Sequence, residues 1–339
     1  MQSAAELKIW PVVRAVPNAR VFGAIVLLCI AASAAFASWL PLQVSIVTVF
    51  LFAGPHNWFE LRYFLMRLPV RFGRSRNFFL TAFAGLGVLT LTYVSLPLLY
   101  NAAWWSDDAW STVIASWNSL FLVWLVLLVW LRAQQKPRAH WTWTIPLGLA
   151  LCSLNWFWPD LFSLAIVYVH PLIALWFLDR HLSRTRPEWL RTYRRCLCVL
   201  PFVLVGMVWQ LSQTATLPDS NGLFWRITQH SGAELLPQVS SHMLVSVHLF
   251  LEMLHYAVWI VALPLIGASG RVWDVKTVPV ARHARGFPRL IVGLLVLALA
   301  AVVFLWLSFS IDYSTTRDVY FTIAIAHVLA EAPFLLRMI

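Results

Sequence analysis

Charge is what this sequence has least of. Asp, Glu, Lys and Arg make up 12% of its 339 residues and apolar side chains 60%, whereas a soluble domain carries roughly 25% charged residues. That shortage excludes a water-exposed globular surface and points to an all-α, polytopic membrane bundle. Acids are scarcer than bases, 14 against 25, for a net charge of +11. The positives fall in short segments between apolar runs, so they read as a topology signal and not as a nucleic-acid patch. Only four cysteines occur, without redox or zinc spacing: Cys29 and Cys152 fall in apolar runs, and Cys196-Leu-Cys198 at a helix start reads as packing. Walker and dinucleotide glycine patterns are absent, and so is H-E-x-x-H, which argues against a zincin-type intramembrane protease. There is no internal repeat, low-complexity tract or separate soluble domain, so residues 1–339 read as a single transmembrane domain.

What remains is long hydrophobic runs. About 30 Å of hydrocarbon requires roughly 20 apolar helical residues, and ten segments qualify, near 21–40, 43–66, 78–100, 109–131, 142–158, 160–179, 195–213, 242–266, 288–311 and 317–337. The fifth is short and interrupted by Ser153 and Asn155. With both termini cytoplasmic, 23 of the 25 basic residues lie on the cytoplasmic side, leaving Arg226 and Arg317 outside, as the positive-inside rule requires. The charged N-terminal stretch precedes a span too long for a signal peptide, so the first helix is expected to be retained. The outer loop 213–241 is long enough for a short interfacial helix over the bundle mouth. Trp104, Trp105, Trp110, Trp141, Trp143, Trp156 and Trp158 sit at span ends, as an interfacial belt does. The expected location is a bacterial inner membrane.

Three carboxylates fall well inside spans: Glu60, Glu252 and Glu331. Each follows a histidine by four residues, giving His56-x3-Glu60, His248-x3-Glu252 and His327-x3-Glu331, and His255 follows Glu252 by three. Residues four and seven apart share a helix face, so His248, Glu252 and His255 form one stripe. A further span adds His170. His56, His170, His255 and His327 lie about halfway along four different helices. An ionised group at mid-membrane costs about 2.5–3.5 kcal/mol on insertion scales and normally faces a partner or cavity. A lone membrane histidine more often joins helices by hydrogen bonding, but this repeated pairing at one depth favours a metal site. The expected ligands are His56, His170, His255 and His327 with Glu252, while Glu60, His248 and Glu331 bridge or support them. His140, His181 and His283 read as headgroup-level residues, His230 as a loop residue and His242 as the outer start of its helix.

Imidazole and carboxylate without thiolate suit iron, zinc, manganese or copper(II). E-x-x-H recurs in di-iron helix bundles, although those use two such elements; one ion or two are compatible with eight candidate ligands. The run Gly54-Pro55-His56 with Glu60 four residues later resembles the start of the Brp/Blh family of membrane β-carotene-cleaving dioxygenases. The likeness covers about ten residues and departs at Asn57, where that family prefers Gly, and at Glu60, where it prefers Asp. It implies an all-helical enzyme holding iron through histidines of several spans, which His56, His170, His255 and His327 match in kind. The expected function is therefore a metal-dependent oxygenase or oxidoreductase, with non-haem iron, acting on a lipophilic substrate such as a carotenoid, isoprenoid or lipid drawn from the bilayer. A proton- or ion-coupled transporter and a b-haem electron-transfer protein use the same residue types and stay open. Nothing in the sequence identifies a redox partner.

Overall fold

The computed structural model describes residues 18–102, 104–136, 140–218, 222–267, 278–282 and 287–338. Six of the 23 basic residues assigned above to the cytoplasmic side, Lys8, Arg14, Arg138, Arg271, Lys276 and Arg285, lie outside them, as does His283. Every regular element among the described residues is helical: α1 (Ala19–Trp39), α2 (Pro41–Arg67), α3 (Arg76–Ala102), α4 (Asp107–Gln135), α5 (Thr144–Phe157), α6 (Pro159–Thr185), α7 (Pro187–Leu197), α8 (Leu200–Leu211), α9 (Gly222–His230), α10 (Ser241–Tyr256), α11 (Leu263–Gly267), α12 (Pro279–Arg282), α13 (Pro288–Ile311) and α14 (Tyr313–Met338). A π-helical segment, Ala257–Ala262, joins α10 to α11.

Eight helical stretches are long and apolar enough to cross a membrane, and the chain is an all-α, multi-pass membrane bundle. Two of the ten expected spans are not among them. Helix α5 has 14 residues, and α2, though 27 residues long, carries Glu60, Arg62 and Arg67 in its second half. The expected span 195–213 is two helices. Pro201 has no amide hydrogen to donate, and the helix breaks at Cys198 and Val199. On the near side, α7 buries Trp189, Tyr193 and Cys196 on one face while Arg191, Arg194 and Arg195 occupy the rest.

The centre of the bundle is α2, α6, α10 and α14, all of which start at one end. There α9 lies across them: Ile227 packs on Leu42 and Val245, Arg226 pairs with Asp318 of α14, and the Tyr168 hydroxyl lies 3.0 Å from the Ser231 and Leu244 carbonyls. The chain leaves α9 through Gly232, whose φ of +91° and close approach to Leu164 admit no side chain. At the opposite end, arginines complete the helix termini. Arg132 donates to the Leu336 carbonyl, Arg184 to that of Met338, and Arg337 to that of Arg67, supplying donors to carbonyls that have no intrahelical partner. Just inside this end lies an aromatic layer of Tyr63, Phe64, Phe177, Trp259 and Phe334, with Phe64 and Phe334 stacked at 4.4 Å. Lipid gives no hydrophobic drive to helix association, so such contacts and close backbone approach supply it. At Gly54, for example, a Cβ would lie 2.9 Å from Val302 of α13.

Candidate metal centre

Three of the four central helices carry a proline close to a candidate ligand: Pro55 beside His56, Pro171 beside His170, and Pro333 two residues after Glu331. In α10 the π-helical turn begins two residues after His255, and Pro264 follows it. A proline removes one ladder hydrogen bond and loosens the helix locally, and π-helical turns are frequent at functional sites. The sequence therefore makes these helices irregular where their polar side chains turn inward.

His56, His255 and His327 lie 14–15 residues from the starts of their helices, about 21 Å along the axis at 1.5 Å per residue. Their rings converge, with His56 5.3 Å from His255 and 5.0 Å from His327, centroid to centroid. His170 joins at 4.7 Å from His255 and 5.0 Å from His327. The donor atoms form two groups sharing His255. In one, His56, Glu60, His255 and His327 each offer an atom within 4.8 Å of all the others; in the other, His170, His255 and Glu331 do. Ligands on opposite sides of one transition-metal ion, at about 2.1 Å each, are roughly 4.2 Å apart. Either group therefore needs only a small contraction to surround an ion.

The hydrogen bonding points the same way. His56 Nδ1 lies 3.1 Å from the Phe52 carbonyl and donates to it, since that oxygen can only accept. Nε2 is left as the lone-pair atom, the arrangement found when an imidazole binds metal. His56 Nε2, both Glu60 oxygens and both His255 nitrogens have no hydrogen-bond partner among the described residues, although these three side chains are at most 2% exposed. A buried, unsatisfied polar group costs about 1–3 kcal/mol, and native structures hold few of them. Five such atoms in one cluster suit a bound cation. Glu331 adds a fully buried carboxylate, one oxygen 3.1 Å from His170 Nδ1, and His170 Nε2 is 3.1 Å from His327 Nε2.

Glu252 and His248 are placed elsewhere. Neither belongs to the two donor groups; instead the Tyr256 hydroxyl donates to Glu252 Oε1 at 2.8 Å, and His248 packs against Tyr168 and His230. Helix geometry explains the difference. Each Cα–Cβ bond leans toward the helix N-terminus, which is the α9 end. Glu60 and Glu331 follow their histidines by four residues and lean back toward them. Glu252 precedes His255 and leans away.

The histidines read as bystanders divide. His140 is exposed, and His242 Nε2 is 2.9 Å from the Ser38 carbonyl. His181, expected at the headgroups, is buried, with Nδ1 3.0 Å from Arg67 Nη2. His230, expected in a loop, ends α9 and packs on His248 and Phe321. Burial first, and then the Arg317 guanidinium, hold its pKa well below the usual histidine range, so it is neutral at pH 7.

Sequence reasoning also passed over the tyrosines. Tyr256 packs its ring 4.7 Å from His56, and the Tyr320 hydroxyl accepts from Asn57 Nδ2 at 3.2 Å. The one available signal was that Tyr256 directly follows His255. Both tyrosines line a cavity of about 150 Å³ that also touches His56, His170, His255 and His327. Toward α9 its walls are His230, His248 and Glu252; toward α3, α4, α6 and α14 they include Tyr93, Trp117, Ile166, Val167, Ile325 and Val328 together with the polar Asn118 and Ser163. Cys196 is buried and Cys198 exposed, and both are free thiols. No family model, no curated protein and no solved structure matches this chain.

Proposed function

We propose that this protein is a metal-dependent membrane enzyme that oxidises a lipophilic substrate at a centre buried between α2, α6, α10 and α14. The observation that carries this reading is the set of unpartnered, buried donor atoms of His56, Glu60 and His255 within 4.8 Å of one another and of His327. Three imidazoles and a carboxylate fit iron, zinc, manganese or copper(II), and iron is the metal proposed. The family resemblance of Gly54-Pro55-His56 supports that choice. In this proposal His56, His255, His327 and Glu60 hold the ion, and His170 and Glu331 either support it or hold a second one through the shared His255. Two carboxylates offset the charge of one divalent cation without help from water. When bound, the iron supplies a site for activating O2. The rest falls to the chain itself: the aromatic layer keeps water out from the arginine end, Phe52 orients His56, and the cavity holds substrate against the imidazoles.

The proposal places the α9 end outside a bacterial inner membrane, with ten spans and both termini cytoplasmic. Against a b-haem protein stands the packing of His255 and His327 on each other and on both His56 and His170, with centroids 4.7–6.1 Å apart, which leaves no slot for a macrocycle between two axial rings. The test is elemental analysis of the detergent-purified full chain. At least one equivalent of iron per chain is expected, with no Soret band. Protein that stays free of transition metal after incubation with ferrous iron, zinc, manganese or copper overturns the reading and favours a proton-carrying network.

A further inference from the structure

The cavity is chemically lopsided. Its α9 side carries His230, His248 and Glu252, while below them the walls on α6 and α14 offer Ile166, Val167, Ile325 and Val328, interspersed with Ser163 and Tyr320, before the histidine cluster. His248 and Glu252 are 8% and 7% exposed, and neither His248 nor His230 has a hydrogen-bond partner among the described residues. Glu252 keeps Oε2 beyond the bond that Oε1 receives from Tyr256. These groups are too dispersed to form a metal-binding group, yet they are costly to bury unused. They can therefore be satisfied by something that enters the cavity.

The local charge says what kind of group that is. Glu252 and the buried Arg317, which packs over Phe321 beside His230, bring one charge of each sign to this end of the cavity. Arg226 and Asp318 pair with each other. A charged head of either sign therefore meets one like charge as well as one opposite charge, so its desolvation is poorly offset. An uncharged hydroxyl can donate to Glu252 and accept from an imidazole N–H. His248 stands seven residues, about 10 Å, above His255 on the same helix, so a chain anchored there extends down to the metal-centre level.

We propose that the space beneath α9 is a head-group site for a long-chain alcohol, with the hydroxyl held by His230, His248 and Glu252 and the apolar chain lying along α6 and α14 past the histidine cluster. What happens to the chain rests on the metal centre proposed above; the head site does not. The test is native mass spectrometry of the full chain released from detergent after incubation with dodecan-1-ol, dodecane or dodecanoate, with metal content measured on the same preparation. One bound dodecan-1-ol per chain is expected, at least tenfold more than either comparison compound. His248→Leu should lose that preference, His230→Leu should weaken it, and His140→Ala should not change it. Equal occupancy by all three compounds, or undiminished preference in whichever of the two leucine variants folds, overturns the head site. Selective alcohol binding by metal-free protein would leave the head site standing and remove the oxygenase reading instead.

Discussion

At the scale of single residues, the site depends on which atoms have no partner within the protein. His255 belongs to both donor groups, and neither ring nitrogen has a hydrogen-bond partner among the described residues. His255→Ala is therefore expected to lose all bound metal, while His170→Ala and Glu331→Gln lose part of it. Glu60 and Glu252 give a sharper contrast. Glu60→Gln replaces a charged ligand by an amide that binds metal poorly, and at least a tenfold loss of metal affinity is expected. Glu252→Gln changes a group outside both clusters and should keep the wild-type metal content. Elemental analysis of the purified variants checks all five, with circular dichroism to show that they fold. Metal lost from Glu252→Gln but kept in Glu60→Gln would return the ligand role to Glu252.

At the scale of elements, the residues that meet were legible in the sequence, because an imidazole and a carboxylate inside an apolar run are expensive and must face inward. Which carboxylate meets the histidines was harder to read. A face count treats His248, Glu252 and His255 as one stripe, but the stripe climbs about 10 Å along the helix, far more than the ligand shell of one ion spans. The tilt of the Cα–Cβ bond then selects Glu60 and Glu331. The division of the 195–213 segment was signalled by Pro201, and the burial of His181 only by packing that no single helix reveals. Topology is tested at this scale too. Arg67 of α2, Arg132 of α4, Arg184 of α6 and Arg337 of α14 gather at one end. Reporter fusions after Arg76, Lys136 and Arg194 should report the cytoplasm, and those after Asp107, Pro218 and Asp312 the opposite side. A cytoplasmic signal after Pro218 would put α9 on the wrong face and undo the depth assignment.

At the scale of the whole molecule, an ion bound at the candidate centre would do for the bundle what a hydrophobic core cannot do in lipid. Its ligands come from α2, α6, α10 and α14, four separated pieces of the chain, and no disulfide links any of them. Without an ion, the buried Glu60 and Glu331 carboxyls and the orphaned nitrogens keep their desolvation cost. With one, four helices are tied at one point. A ligand that binds only the folded state stabilises it by RT ln(1 + [L]/Kd), about 4 kcal/mol at a thousandfold excess over Kd. Stripping the metal with a chelator should therefore lower the thermal midpoint of the detergent-solubilised protein, and restoring ferrous iron should raise it again. His255→Ala is the control, since a chain that holds no metal has no midpoint for the chelator to move. Removing bound metal from the wild type, verified by elemental analysis, with no change in its midpoint would mean that the cluster binds ions without tying the helices together.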